Sequence, residues 1–91
     1  MEIEWLRENI AGGRLTISRL DDGSGVVLDM QGEKLLEMNA SALAMVQAVA
    51  DGAETEQAVA EQISARCGAP TDRVARDVRE FFSQLVASLP R

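Results

Sequence analysis

The chain has 91 residues, of which 46% are hydrophobic, with 9 basic against 15 acidic side chains and no histidine. This size and apolar content suit one domain with a single modest core and exclude an intrinsically disordered chain. The net charge of −6 opposes binding to nucleic acid, because non-specific affinity for a phosphate backbone comes mainly from Lys and Arg. Neither a signal-peptide pattern nor an apolar run of the roughly 20 residues that span a bilayer is present, so we expect a cytoplasmic protein with no membrane partner.

Cys67 is the only cysteine, which excludes an internal disulfide. Without histidine this thiol lacks the usual general base and the usual zinc co-ligand, so we expect neither a Cys–His nucleophile nor a metal site. No cofactor is indicated either. We expect Cys67 to be a small buried apolar residue near the end of a helix.

The segment before the first predicted strand has a partly amphipathic pattern, carried by Ile3, Trp5, Leu6 and Ile10. The pattern ends at the Gly12–Gly13 pair, where backbone entropy breaks regular structure. We therefore assign residues 1–13 to an N-terminal arm, whose conformation this pattern does not define, and residues 14–91 to a single domain.

From Leu15 to Met38 the apolar period changes to two, which predicts β-strands. Turn residues separate the strands and include the carboxylates Asp21, Asp22, Asp29 and Glu33, which suit local hydrogen bonding. Two hairpins in series predict a three-stranded antiparallel meander. In the third strand, Leu35 is left on the less buried face. The alternating apolar sets are Leu15/Ile17, Val26/Leu28/Met30 and Leu36/Met38.

Two helices are predicted next, each between a cap and a stop signal. The first, over residues 40–50, can be capped by Asn39 or Ser41 and stops at an Asp-Gly pair. The second, over residues 56–67, follows the natural cap Thr55 and stops at a glycine with proline beyond it.

The third helix begins after Thr71 and is the longest and most amphipathic. Its apolar positions recur every three or four residues, at Val74, Val78, Phe81, Leu85 and Leu89. Of the neighbours Phe81 and Phe82, we expect only one to be partly exposed. The predicted fold is therefore α+β, a three-stranded antiparallel sheet followed by three helices.

A set of residues in a fixed order runs from the third strand to the third helix: Leu36-Glu37-Met38-Asn39, Ser41-Ala42, Asp51-Gly52, Thr55 and the pattern Asp77-Val78-x-x-Phe81-Phe82-x-x-Leu85. In these residues and their spacing the sequence resembles the PqqD family, which includes the B1 proteins of lasso-peptide pathways. The resemblance covers roughly Val26 to Leu85 and implies a winged helix-turn-helix-like fold. Members supply the peptide-recognition element of pathways that make natural products from ribosomal precursor peptides.

The resemblance also implies a site. Members of the family bind the leader segment of a precursor peptide as an added strand along the third strand, against the third helix. They thereby bring a modifying enzyme to its substrate, such as a radical S-adenosylmethionine enzyme or a leader peptidase. For this chain the resemblance implies a non-enzymatic adaptor whose peptide-binding residues are Lys34, Leu35, Leu36, Glu37 and Met38 on the strand and Arg73, Arg76, Asp77, Glu80, Phe81 and Gln84 on the helix.

Two other functions compete with this one. A winged-helix order of elements also suits a small DNA-binding regulator, against which stand the net charge of −6 and the acids Asp77 and Glu80 on the third helix. An acidic carrier protein with a phosphopantetheine arm on Ser41 would suit the size and charge, but such domains are usually all-helical. A sheet edge that accepts a peptide can also pair with a second copy, so a homodimer is possible.

Overall fold

The computed structural model describes residues 2–89; Met1, Pro90 and Arg91, the outer ends of the predicted arm and domain, lie outside the described residues. The α+β fold is confirmed, with a three-stranded antiparallel sheet followed by three helices. Across residues 2–89 no helix is long and apolar enough to cross a membrane. The elements in chain order are α1 (Glu2–Ala11), β1 (Leu15–Arg19), β2 (Gly25–Asp29), β3 (Lys34–Met38), α2 (Ala40–Ala50), α3 (Glu56–Cys67) and α4 (Thr71–Ser88).

The segment assigned to an N-terminal arm contains the helix α1. Its Ile3 and Leu6 side chains are each only 1% exposed and belong to the same hydrophobic core as the rest of the chain. The helix packs on α2, α4 and β1. The weak amphipathic pattern of the segment therefore marks a core-forming helix.

The sheet has the order β1-β2-β3, with β2 in the centre and both neighbours antiparallel to it. In β2 the side that faces the helices carries Val27 and Asp29, both buried, instead of the predicted Val26/Leu28/Met30 set. Gly25 lies in the same inner row, where a Cβ atom would come within 2.8 Å of Leu43 on α2. The absence of a side chain at Gly25 thus lets α2 approach the sheet closely.

Asp29 lies at the end of β2 and forms a buried ion pair with Arg14. Arg14 donates from Nε to Oδ1 at 3.0 Å and from its terminal nitrogen to Oδ2 at 3.2 Å, while the Gln31 N–H donates to Oδ1 at 3.1 Å. The Arg14 hydrogen bond lowers the pKa of Asp29 to about 2 against the opposing effect of desolvation. Arg14 also lies over the Trp5 ring, 5.0 Å from its centroid, and so links α1 to the sheet. Asp29 therefore does more than the local turn bonding expected of it.

The helix boundaries follow the predicted caps. Asn39 Oδ1 accepts from the Ala42 N–H at 2.9 Å and Thr55 Oγ1 accepts from the Ala58 N–H at 3.0 Å. Gly68 ends α3 in the left-handed region with φ of 72°. At the next corner Thr71 Oγ1 lies 3.1 Å from Ser64 Oγ, which donates to the Ala69 carbonyl. These bonds set where α4 starts.

Candidate functional site

The open edge of β3 is the first component of the site, because no strand formed by residues 2–89 lies beyond β3 in the sheet. The ladder shows which backbone groups this edge leaves unpaired. The Met30 N–H donates to the Arg14 carbonyl and the Leu20 N–H to the Ser24 carbonyl, both at 2.8 Å. The even-numbered residues of β1 and β2 therefore form the hydrogen-bonded pairs between these two strands, because hydrogen-bonded and non-hydrogen-bonded pairs alternate along an antiparallel ladder.

The odd-numbered residues of β2 therefore bond to β3. Their partners in the register are Met38, Leu36 and Lys34. The remaining residues of β3, Leu35 and Glu37, direct their N–H and C=O groups to the open edge. The edge thus offers roughly four main-chain groups to an added strand.

One side of α4, which we call the α4 wall, comes to the start of β3 at Ser88. Arg73, Asp77, Phe81, Gln84 and Ser88 recur at three or four residues and so share a side of the helix. At one end of β3, Lys34 Nζ donates to the Ser88 carbonyl at 2.8 Å. A cation at the last turn of a helix is also stabilised by the helix dipole.

At the other end of the wall, a shallow cleft of about 280 Å³ lies between the starts of α2 and α4 and is lined by Ser41, Met45, Arg73 and Asp77, among others. Ser41 follows β3 closely in the chain, so β3 and α4 run in opposite directions past each other. The side chains of Leu36 and Met38 are on the face of the sheet toward the helices, with Leu36 half-buried and Met38 buried. We call the space between β3 and α4 the groove; Leu36 and Met38 lie on its sheet side, Lys34 lies at one end, and Arg73 and Asp77 lie at the other.

The α4 residues that were predicted to bind the peptide lie on two different sides of the helix. Arg73 and Asp77 line the cleft just described, and Phe81 is half-buried with its ring 5.4 Å from that of the fully buried Phe82. Gln84 is exposed, and its carbonyl accepts from the Ser88 hydroxyl. Arg76 instead lines a different cleft with Gln57 and Arg79 on the α3 side. Glu80 is exposed next to the groove-side residues.

Three residues near the groove were not predicted from the sequence. Ser88 contributes a backbone carbonyl, which no side-chain pattern reveals, and Ser41 and Met45 line the cleft because of where α2 packs.

Cys67, expected to be buried, is exposed at the end of α3, where it lines the same cleft. The last turn of α3 extends beyond the core, so its final residue is not covered. Within residues 2–89, no cluster of His, Cys, Asp or Glu could hold a metal ion.

Two comparisons with known proteins give the family and the fold of this chain. A family model described as coenzyme PQQ synthesis protein D (PqqD) matches residues 24–88. The chain belongs to the PqqD family. The matched span runs from β2 to the end of α4 and therefore contains both β3 and the α4 wall.

One solved structure is similar to this chain in fold. A lasso peptide synthetase B1 complexed with the leader peptide has a TM-score of 0.69 and 21% sequence identity, covering 85% of this chain and 92% of that chain. At this identity the likeness is one of fold, and it extends outside the family-matched residues. No curated protein matches the sequence.

Proposed function

We propose that this PqqD-family chain is a non-enzymatic adaptor that binds the leader segment of a ribosomal precursor peptide and presents it to a modifying enzyme. The observation that carries the proposal is the open edge of β3, where Leu35 and Glu37 offer backbone groups beside the α4 wall. An extended peptide satisfies such groups by adding a strand. The fold is shared with a lasso peptide synthetase B1 solved in complex with the leader peptide, which supports leader binding by this chain.

Main-chain pairing alone is too weak to define this interaction. Roughly four hydrogen bonds at about 0.5–1.5 kcal/mol each contribute about 2–6 kcal/mol, before the cost of ordering the peptide. Micromolar binding requires about 8 kcal/mol. Side chains must therefore supply the rest, and the apolar Leu36 and Phe81 together with the charged Arg73 and Asp77 are placed to do so.

The enzyme partner is proposed to be a radical S-adenosylmethionine enzyme or a leader peptidase, in the cytoplasm. Strand addition needs no cofactor. The family match and the open edge favour this function over a DNA-binding regulator or a carrier with a modified Ser41. Self-pairing through an edge strand would give a homodimer that competes with the peptide.

A proline substitution tests the edge directly. Leu35→Pro removes an N–H that points to the open edge and leaves the ladder with β2 intact, because proline is tolerated on edge strands in this position. We expect peptides selected by the wild-type protein from a displayed random-peptide library to lose at least tenfold in affinity for this variant. Leu35→Ala, which keeps the N–H, should lose less. Fluorescence anisotropy measures both.

Arg19→Pro is the matched control, since Arg19 directs its N–H to the opposite edge of the sheet, on β1. It should bind the selected peptides like the wild type. Loss of binding in Arg19→Pro but not in Leu35→Pro would move the site to β1. A library that yields no peptide sensitive to either change would refute strand addition.

A further inference from the structure

The outer face of the sheet, turned away from the helices, carries two rows of side chains that end at the open edge of β3. Residues directly opposite each other in a ladder share a face, so the register defines the rows. One row is Thr16, Leu28 and Leu35, and the other is Ser18, Val26 and Glu37. A strand added to β3 would continue each row by one residue.

The row that ends at Leu35 is apolar and open to solvent. Leu35 is 52% exposed and the neighbouring Met30 is 63% exposed. With Leu28 they line a shallow cleft of about 280 Å³ beside the edge, to which Glu33 and Lys34 also contribute. An apolar side chain placed next to Leu35 would remove water from the exposed surface of Leu35, whereas a charged one would lose part of its hydration there.

The row that ends at Glu37 is acidic at the edge. Glu37 is exposed, and within residues 2–89 it forms no ion pair. It shares a shallow cleft with Leu20 and Val26, whose apolar surfaces can cover the stem of a long basic side chain. The net charge of −6 further favours a basic group at this position.

We infer that the leader is read on this outer face by a basic–x–apolar triplet, in which the basic residue lies beside Glu37 and the apolar residue beside Leu35. The inference rests on the proposed strand addition. It takes the added strand as antiparallel, like every other pair in this sheet, so the leader passes Glu37 before Leu35. The middle residue then lies opposite Leu36, and its side chain points into the groove toward α4.

A charge exchange between protein and peptide tests the triplet. The probe is a synthetic peptide carrying the consensus enriched from the random-peptide library, with Lys or Glu at the basic position. Glu37→Lys should weaken binding of the Lys peptide about five- to tenfold and strengthen binding of the Glu peptide, because cross-strand charge pairs stabilise and like charges destabilise. Glu61→Lys changes the net charge equally on an exposed part of α3 and should leave the preference between the two peptides unchanged.

The outcomes separate this inference from the function on which it rests. Peptides that lose affinity for Leu35→Pro but respond equally to Glu37→Lys and Glu61→Lys would overturn the triplet and leave strand addition in place. Enrichment of the reverse order, apolar–x–basic, would overturn the antiparallel orientation. Failure to obtain any peptide that depends on the β3 edge would refute the proposed function itself.

Discussion

In the ion pair between Asp29 and Arg14, burial and the neighbouring positive charge shift the pKa of Asp29 in opposite directions. The carboxylate is 1% exposed, which alone would raise its pKa, yet the Arg14 hydrogen bond lowers it to about 2 from the usual 3.8. A carboxyl group with a lowered pKa in the folded state stabilises the fold when it is ionised. This contribution is complete above about pH 4 and is lost as the pH falls through about 2.

Asp29→Asn should therefore destabilise the protein at pH 7, and the difference from wild type should shrink as the pH is lowered from about 4 toward 2. Asparagine keeps the shape but removes the negative charge that pairs with Arg14. Urea unfolding at a series of pH values measures the difference. Asp21→Asn, in the exposed turn before β2, is the control and should leave the unfolding free energy at pH 7 within about 0.5 kcal/mol of the wild-type value. A constant difference from pH 7 to pH 2 would contradict an ionic origin.

The adjacent residues Phe81 and Phe82 have different roles because their side chains point to different sides of α4. Phe82 is fully buried in the core, whereas Phe81 is half-buried on the side of α4 that also carries Asp77 and Ser88. Phe82→Ala should cost about 3–5 kcal/mol of unfolding free energy by leaving a cavity. Phe81→Ala should cost clearly less and instead weaken binding of the library-selected peptides. Denaturant unfolding and anisotropy on both variants test this, and a Phe81→Ala protein that fails to fold would return Phe81 to the core.

Element boundaries were predictable here because they depend on local chemistry. The caps at Asn39 and Thr55 and the stop at Gly68 each satisfy helix-end groups within a few residues. The inner face of β2 was not predictable, because Val26, Val27 and Leu28 are all apolar and only the distant Arg14 makes Asp29 an inward residue. The groove is also a product of tertiary packing, since Lys34 and Ser88 are far apart in sequence. The site on β3 itself was reached through family resemblance.

For the molecule as a whole, α1 lies outside the family-matched residues 24–88 and yet completes the core. Leu6→Ala should therefore lower the unfolding free energy by about 2–5 kcal/mol, as for other buried leucines. Glu4→Ala, on the exposed side of the same helix, should change it by less than about 0.5 kcal/mol. Chemical denaturation of the two variants compares them. Equal effects would mean that α1 does not contribute to the core.

The hydrogen bond between Lys34 and Ser88 places the beginning of β3 at the last turn of α4. An antiparallel leader would travel along β3 from the Met38 end and leave at this corner. The part of the precursor that follows the bound segment would then emerge beside Ser88, at the opposite end of α4 from the cleft that Ser41 lines. Under the proposed function, the direction of one peptide strand would thus determine the end of α4 from which the rest of the precursor reaches an enzyme.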